Sequence, residues 1–338
     1  MNSFGRIFNM SIFGESHGEA VGLVLDGCPA GLSLSDSDFT ADLDRRKGGI
    51  QKGTTPRKED DIPIFKSGIF NGITTGAPIC ILFDNKNTRS ADYEKQRSVP
   101  RPGHADFVAH QKFGGHEDYR GGGHFSGRLT VALVAAGVIA KKLLAFAGHP
   151  RPESIRVHAN ILEIAGERDV DKGLQKAIEA RDSVGGIVEC RASGLPFGLG
   201  EPFFDSVESL LAHAVFSIPA VRGIEFGTGF AAARMFGSEH NDAILDMQGK
   251  TGTNHAGGVV GGISNGNELV FRIAIKPTSS TPKEQLTLNW ESGHIESFSV
   301  KGRHDLCIAL RVPVILEAVT ALVLADLLLL EQKIPRIL

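Results

Sequence analysis

The sequence predicts an α+β fold in which helices pack on antiparallel β-sheets. Strand-like and helix-like segments are mixed along the chain without the strict β-α-β alternation of a parallel sheet. No repeat or linker divides the 338 residues, of which 41% are hydrophobic, enough for a large core. Because polar glycine loops near both ends of the chain have the same chemistry, we expect one domain, 1–338, with a composite site.

Hydrophobic pattern and capping residues predict the elements in chain order. A strand over 21–26 ends at Gly27-Cys28-Pro29, and a helix over 35–46 begins with Ser35 and Asp38 at capping-box spacing. The helix predicted over 130–146 is apolar nearly all round, so we expect it to be central. The other predicted elements are strands over 79–83, 154–165, 186–193 and 268–275 and an amphipathic helix over 171–181.

The last predicted helix is the apolar segment 306–330. It contains Arg311, Glu317 and Asp326, which would be costly in lipid, and Pro313 lies near its start. We therefore predict a buried or subunit-packed helix that begins near Pro313, and no membrane span. Because the N-terminus carries no visible signal peptide, we expect a soluble, cytoplasmic protein.

Composition limits the classes of partner. The formal net charge is -3, so no basic field favours a nucleic-acid partner, and an anion site must be built locally from clustered arginines. The cysteines are far apart in sequence, which argues against a zinc ribbon or a disulfide framework and favours buried thiols; they are Cys28, Cys80, Cys190 and Cys307.

The 41 glycines concentrate in polar runs at 14–22, 114–127 and 249–266. Glycine loses the most backbone entropy on folding, so its repeated use indicates loops that bring backbone close to a ligand. Polar clusters rich in arginine, histidine and hydroxyl groups, which suit oxyanions, lie within these runs and in other segments of the chain. They occupy 14–18, 44–49, 101–106, 119–128, 254–258, 276–280 and 303–305.

Each cluster alone also fits a structural role. The cations at 45–47 complement a helix dipole, and a single histidine in a turn is more often a hydrogen-bonded structural residue. Arg303 and Asp305 could form only a surface ion pair, and 276–280 could be an ordinary loop. The number of such clusters in one chain favours a site for a ligand with several negative charges.

Together these motifs resemble those of chorismate synthases. The run Gly14-Glu15-Ser16-His17-Gly18, followed by 21–29, is similar to that family's N-terminal signature. The segments 101–106, 119–123, 254–264, 276–280 and 303–305 follow in the family's order, from about Phe4 to the final helix. The resemblance implies central helices sandwiched between antiparallel sheets.

The resemblance also implies an activity. Family members act at the last common step of the shikimate pathway to aromatic amino acids. They convert 5-enolpyruvylshikimate 3-phosphate to chorismate and phosphate by anti-1,4-elimination, with reduced FMN and no net redox change. It implies a homotetramer, and NADPH that acts only indirectly, through a separate flavin reductase.

Residue roles follow from the same resemblance. His17 and His104 resemble the two active-site histidines, with His104 toward the phosphate and His17 toward the flavin, and Asp305 resembles the acid that works by way of the flavin. The residues that resemble substrate contacts are Ser16, Arg46, Arg101, Ser126, Arg128 and Arg303. Those that resemble FMN contacts are His124, Phe125, Ser126, Pro219, Ala220, Gly261, Lys276, Pro277, Thr278, Ser279, Ser280 and Arg303, and Arg46 and Lys52 resemble an NADP-type contact.

The chain departs from the family pattern at a few positions. His124 and Phe125 stand where many members have arginine and serine, which alters the expected contacts to the FMN phosphate. Leu306 replaces a usual proline, and Lys52 stands where arginine is common. None of these changes removes a proposed catalytic group.

Three other functions were weighed against this one. The run 227–232 fits the G-x-G-x-x-A dinucleotide pattern after a strand-like 221–226, but polar loops follow where a helix is required. His104, Asp106 and His110 could hold a metal, yet their spacing matches no known metal pattern, and we expect no metal. A binding-only relative would fit the changes at 124–125, but the intact histidines and Asp305 argue against it.

Overall fold

Two antiparallel sheets enclose a layer of helices in the computed structural model of the chain, which describes residues 2–49, 52–55, 57, 59–88, 97–147, 154–300 and 304–338. The first sheet contains, in spatial order, β1 (Ser3–Phe4), β2 (Asn9–Gly14), β3 (Ala20–Asp26), β7 (Ile79–Asp84) and β4 (Ile64–Ser67). The second contains β10 (Val221–Phe226), β13 (Leu269–Ile275), β9 (Gly186–Ser193) and β8 (Arg156–Ile164). Three short ribbons pair β5 (Ile69–Phe70) with β6 (Ile73–Thr74), β11 (Val259–Val260) with β12 (Ile263–Ser264), and β14 (Gln285–Asn289) with β15 (His294–Phe298).

The helical layer is centred on two apolar helices that pack against each other. The helices are α1 (Asp36–Arg46), α2 (Asp106–Phe113), α3 (Thr130–Leu144), α4 (Val170–Ala180), α5 (Val207–Val215), α6 (Gly237–His240) and α7 (Val312–Leu330). The first sheet packs on α3 and the second packs on α7. Gly137 of α3 lies so close to Ala318 of α7 that an added side-chain carbon would be 2.2 Å from the Ala318 methyl group, so the crossing requires glycine. The α+β sandwich expected from the sequence is confirmed.

The acidic residues inside α7 have specific partners, which explains how this apolar helix carries them. The buried Glu317 carboxylate accepts two hydrogen bonds from Arg45, both at 2.7 Å, and one from Lys141 at 2.8 Å. Asp326 accepts the backbone N–H groups of residues 6, 7 and 8. By length and composition the helix over Ile308–Leu330 could span a membrane, but it is almost entirely buried inside the protein, as the sequence predicted.

The predicted elements agree with the structure to within two residues at each end. Pro313 lies in the first turn of α7, and the Asp38 carboxylate accepts from the Ser35 N–H at 2.8 Å, as its capping-box spacing predicted. Other elements were not predicted, because they are short or their apolar residues are interrupted by polar ones; they are β1, β2, β4, β5, β6, β11, β12, α2, α5, α6 and the β14–β15 hairpin.

Candidate active site

A cavity of about 630 Å³ lies where the glycine loop 119–128, the N-terminal parts of α3 and α7, and the segment after β13 meet. Its volume is in the range of sites for small organic ligands. Part of the wall is apolar and includes Met10, Ile12, Leu129, Leu133, Ile218, Ile315, Val319 and Leu322. Another part is cationic and contains Arg46, Arg57, Arg101, Arg128 and Lys276. The cavity therefore suits ligands that combine an apolar body with several negative charges.

The glycine loop has a backbone conformation that favours glycine at each of three positions. The φ angles of Gly121, Gly122 and Gly123 are 62°, 86° and 52°. A side-chain carbon on Gly121 would lie 2.5 Å from the His17 ring, and one on Gly122 would lie 3.2 Å from the His104 ring. Since residues with a side chain rarely adopt these angles and would also collide here, the loop brings bare backbone into contact with both histidines.

Asp61 joins two arginines of the cavity wall. Its buried carboxylate accepts hydrogen bonds from Arg46 Nη2 at 2.6 Å and from Arg128 Nη1. Arg128 also donates to the Asn85 side chain at 2.8 Å and to the Asp84 carbonyl oxygen at 3.1 Å. Burial by itself would raise the pKa of Asp61, but the two guanidinium groups outweigh burial and lower it. A charged carboxylate therefore fixes the spacing of two cations.

One hydrogen-bond donor of Arg46 has no acceptor among the described residues. Its Nη1 group reaches Thr130 Oγ1 at 3.3 Å, but the buried Nε–H has no acceptor among the described residues. Burial lowers the pKa of Arg46, and Asp61 opposes that shift. A buried donor without an acceptor is costly, so an anionic ligand in the cavity would remove that cost.

Arg57 is a cavity residue that the sequence reasoning missed. It donates to Glu59 at 2.7 Å and from Nη1 to Ser16 Oγ at 3.3 Å. The missed signal was the spacing of two between Arg57, Glu59 and Asp61, because alternate residues of an extended segment share a face. Ser16, which was predicted, is buried and lines the cavity beside Arg57.

His104 lines the cavity and is held by a second, half-buried aspartate. Its Nδ1 atom is 2.6 Å from Asp106 Oδ1, so Nδ1 carries the proton that the carboxylate accepts. Asp106 also accepts from Arg101 Nε and Nη2, both at 2.8 Å. Burial would raise the pKa of Asp106, but the hydrogen bonds from Arg101 and His104 lower it far below its usual range. The arrangement leaves His104 Nε2 as the nitrogen that can act on a ligand.

His17 lies beside the glycine loop. Its ring is largely buried and lies against Gly121, next to the Ser16 hydroxyl, but it does not form part of the cavity lining. The structure therefore brings His17 to the glycine loop and brings His104 to the cavity itself.

The segment Lys276–Ser280 lines the cavity together with Pro219 and Ala220. The Lys276 ammonium donates to the Gly103 carbonyl oxygen at 3.0 Å, and Ser279 Oγ donates to the same oxygen at 2.7 Å. Burial and the nearby Arg222 lower the pKa of Lys276. These contacts tie the segment to the turn that carries His104.

Asp305 also lines the cavity, as predicted. Its Oδ1 atom accepts the Thr55 N–H at 2.9 Å, and Oδ2 accepts from Arg311 Nη1 at 3.0 Å. Arg311 in turn donates to the Arg46 carbonyl oxygen at 2.7 Å. Asp305 is thus paired with Arg311, which the sequence reasoning noted only as a charge in the last helix.

His124 and Phe125, the two departures in the glycine loop, both line the cavity. His124 Nδ1 is 2.9 Å from the Gly14 carbonyl oxygen, and Nε2 is 3.1 Å from Asn2 Oδ1. Phe125 is 41% exposed, and its ring centre lies 6.4 Å from that of Phe113. Ser126 and Arg128, which were also predicted, line the same cavity.

A few predicted residues are not brought to this cavity within one chain. Lys52 is exposed and outside the lining, although Arg46, its predicted companion in an NADP-type contact, is part of it. Gly261 lies in the turn between β11 and β12, with no heavy atom within 4 Å of where a side-chain carbon would be. Arg303 lies outside the described residues.

Comparisons with known proteins agree with the motifs. The family model described as chorismate synthase matches residues 8–329. The chain is 70% identical over 337 residues to the chorismate synthase of Chitinophaga pinensis, with 100% of this chain and 99% of that protein covered. It is 46% identical over 361 residues to the chorismate synthase of Dehalococcoides mccartyi, with 100% and 99% covered.

The fold has a similar relative among solved structures. A crystal structure of chorismate synthase matches with a TM-score of 0.73 and 26% sequence identity, covering 97% of this chain and 93% of that one. Family model, sequence relatives and fold all point to the same assignment. The chain therefore belongs to the chorismate synthase family, whose members are carbon–oxygen lyases.

Proposed function

We propose that the chain converts 5-enolpyruvylshikimate 3-phosphate to chorismate and inorganic phosphate by anti-1,4-elimination, with reduced FMN and no net redox change. In this reaction the C–O bond to phosphate and one C–H bond break, and a second ring double bond forms. The observation that carries the proposal is one cavity of about 630 Å³ in which five arginines, the imidazole of His104 and an apolar wall meet.

The arginines match the charges of this substrate. It carries two carboxylates and a phosphate, and a guanidinium group can bind such oxyanions with two parallel hydrogen bonds. Arg46, Arg101 and Arg128, with Ser16 and Ser126, would hold these groups, and the unpaired Arg46 Nε–H suits a substrate oxygen. Arg57 would add a fourth guanidinium, and Arg303, which lies outside the described residues, is proposed as a further contact.

His104 would give its proton to the departing phosphate. Asp106 holds the imidazole by Nδ1 and would stabilise the protonated ring, so that Nε2 carries the transferable proton. His17, packed on Gly121, would act on the flavin side of the glycine loop.

The residues present fit a flavin mononucleotide. Its ring system requires an apolar surface, which Met10, Leu129 and Ile315 help to supply, and its phosphate requires donors such as those of Lys276–Ser280. When bound, reduced FMN would supply the electron-rich ring that loss of phosphate requires. Pro219 and Ala220 would border it, with His124, Phe125 and Ser126 contributing from the glycine loop. Gly261 and Arg303 are proposed FMN contacts as well, and Arg46 with Lys52 an NADP-type contact.

Asp305 would accept or return a proton next to the flavin. Its two oxygens are fixed by Thr55 and Arg311, so its orientation depends on the segment after α1 and on the contact of Arg311 with Arg46 at the end of that helix. Asp305→Asn keeps the shape but cannot take up a proton. We expect it to reduce turnover much more than substrate binding, whereas Asp171→Asn on the surface helix α4 should behave as wild type.

The proposed reaction can be tested directly. The protein is incubated anaerobically with substrate and chemically reduced FMN, and phosphate release and chorismate absorbance are followed. Formation of both products in equal amounts would support the proposal, and absence of product would contradict it. A parallel incubation with oxidised FMN and NADPH should give no product, because we propose that an external flavin reductase supplies the reduced flavin.

We propose further that residues 1–338 form one catalytic domain, that four chains associate, and that the protein is cytoplasmic. One cavity collects residues from 2 to 322, which supports one cooperative unit. Large exposed apolar side chains support association; they include Phe203, Phe204, Phe230, Phe236 and Met247. All four cysteines are free thiols, which suits a reducing compartment. Sedimentation at assay concentration would test the tetramer.

A further inference from the structure

A second, smaller cavity of about 70 Å³ adjoins His104. Its wall includes His104 and Asp106 and, further along the chain, His110, Glu117 and Trp290. By this measure a water molecule needs about 10–15 Å³ and a few polar partners, so the cavity has room for more than one. His104 therefore lines two cavities, the large one that would hold the substrate and this one.

Glu117 has one oxygen that the protein leaves unused. Its Oε1 atom is 3.2 Å from His110 Nδ1, whereas Oε2 is buried and has no hydrogen-bond partner among the described residues. A buried carboxylate oxygen without a partner is costly. Because Glu117 lines the small cavity, a water molecule there could satisfy this oxygen.

His110 connects Glu117 to the surface. Its ring is stacked on Trp290, with ring centres 4.6 Å apart and planes 13° from parallel, and a side-chain carbon on Gly115 would lie 3.0 Å from its Cε1 atom. Trp290 and Gly115 thus hold the ring in one orientation by packing, without a hydrogen bond to it. His110 is 35% exposed, so its ring is within reach of solvent.

We propose that His110 and Glu117 return a proton from solvent to His104 after each turnover. The inference rests on the proposed function, in which His104 gives one proton to the departing phosphate while the proton from the substrate carbon is taken up elsewhere. His104 then lacks a proton, and the large cavity is filled by ligands. His110 Nδ1 gives its proton to Glu117 Oε1, and His110 takes another from solvent at Nε2. The Glu117 carboxyl group then turns, and this proton passes through water in the small cavity to His104 Nε2. Solvent supplies one proton and receives one, so the balance closes without any redox step.

The other charged and titratable groups that face the small cavity are Arg97, Asp106, Asp118 and Tyr119. Asp106 is bound to Arg101 and His104, and Asp118 accepts two hydrogen bonds from the Arg120 side chain, both at 2.8 Å. The pKa of each of these carboxylates is lowered because the carboxylate is hydrogen-bonded to a neighbouring cationic side chain. Among the described carboxylates of this wall, Glu117 is the one with an unused oxygen.

The test uses Glu117→Gln and His110→Phe, which keep the size of each side chain and, for His110, the ring that stacks on Trp290. With substrate and reduced FMN we expect kcat to fall roughly tenfold, less than the roughly hundred-fold or more that loss of a general acid costs. KM should stay unchanged, the solvent deuterium effect on kcat should rise, and added imidazole should restore turnover.

Two matched controls separate this effect from general damage. Glu208→Gln also removes a buried, unpaired carboxylate oxygen, but on α5 and away from both cavities, and His240→Phe removes a distant histidine. Both should match wild type. Unchanged kcat in both test variants, or a loss of kcat that neither imidazole nor deuterium alters, would overturn the proposal.

One measurement decides the relay without relying on turnover. In protein labelled with ¹⁵N-histidine, the rate at which the His104 ring proton exchanges with solvent is measured by NMR in wild type and in both variants. Slower exchange in the variants supports the relay even if the proposed substrate is wrong. Equal exchange overturns it even if the substrate is right.

Discussion

Two aspartates, Asp61 and Asp106, hold the charged side chains of the cavity wall, and they differ in their partners. Asp61 binds two arginines, Arg46 and Arg128, whereas Asp106 binds one arginine, Arg101, and one histidine, His104. Arginine serves as a fixed cation, whereas an imidazole can donate or accept a proton at a ring nitrogen. The Asp61 cluster therefore has a constant charge, and the Asp106 cluster can gain or lose a proton.

The difference assigns separate tasks to the two clusters. Three buried charges at Asp61 leave one net positive charge, which suits the constant attraction of an anionic ligand. At Asp106 the imidazole is held by one nitrogen and can transfer a proton by the other. The same residue type thus supports binding in one place and proton transfer in the other, and the choice of partner decides which.

The largest effect is expected from His104→Gln, which removes the titratable member of the Asp106 cluster. Because glutamine cannot protonate the departing phosphate, kcat should fall by about 10²–10⁴-fold, while KM changes far less. Steady-state rates with reduced FMN measure both quantities. His240→Phe serves as the control, and a wild-type kcat in His104→Gln would refute the assignment.

Asp61→Asn should act mainly on stability and binding. It leaves two buried guanidinium groups without their counter-charge, so the free energy of unfolding should fall by about 3–5 kcal/mol in denaturant titrations. Since the pKa of Asp61 is lowered in the folded protein, its stabilising effect is complete above the unfolded pKa of about 3.9 and is lost as pH falls. The difference between wild type and Asp61→Asn should therefore shrink in acid; a constant difference would contradict this account.

The sequence predicted the parts of this site that local pattern encodes. The glycine-containing segments beside His17, His104 and Arg128 predicted loops near a ligand. The long apolar run predicted the central helix that follows them. Such features can be predicted locally because a tight turn requires glycine and a buried helix requires apolar residues, whatever the rest of the chain does.

The contacts that connect one cluster to another could not be predicted from local sequence pattern. Asp61 and Arg128 are 67 residues apart and meet only because the strands between them pair in one sheet. The alternating charges Arg57, Glu59 and Asp61 are visible in the sequence, but nothing local shows that Arg128 is a partner of Asp61. Arg311 was missed as a partner of Asp305 for the same reason, because the contact depends on how the last helix enters the core.

A smaller effect is expected from Gly121→Ala, which tests the glycine contact with the His17 side of the loop. The φ angle of 62° costs an alanine about 1–2 kcal/mol, and the added carbon would also displace the His17 ring. Gly261→Ala is a matched control, because its φ is 63° and its surroundings are open. Thermal unfolding should show a larger loss for Gly121→Ala, and equal losses would mean that the His17 contact has no energetic importance.

The smallest effect is expected from His124→Ala, at the position where the chain departs from its family. A carbonyl oxygen can only accept, so His124 Nδ1 must donate to Gly14, and the Asn2 amide oxygen then suits a second donor at Nε2. These contacts hold the imidazole on the cavity wall, at the position where many family members have arginine. Loss of about 1 kcal/mol of such contacts corresponds to a roughly fivefold weaker binding of FMN. Fluorescence titration measures this, and His124→Arg should bind at least as tightly as wild type. If His124→Ala binds FMN as wild type does, the imidazole serves only to fasten the N-terminal residues to the loop.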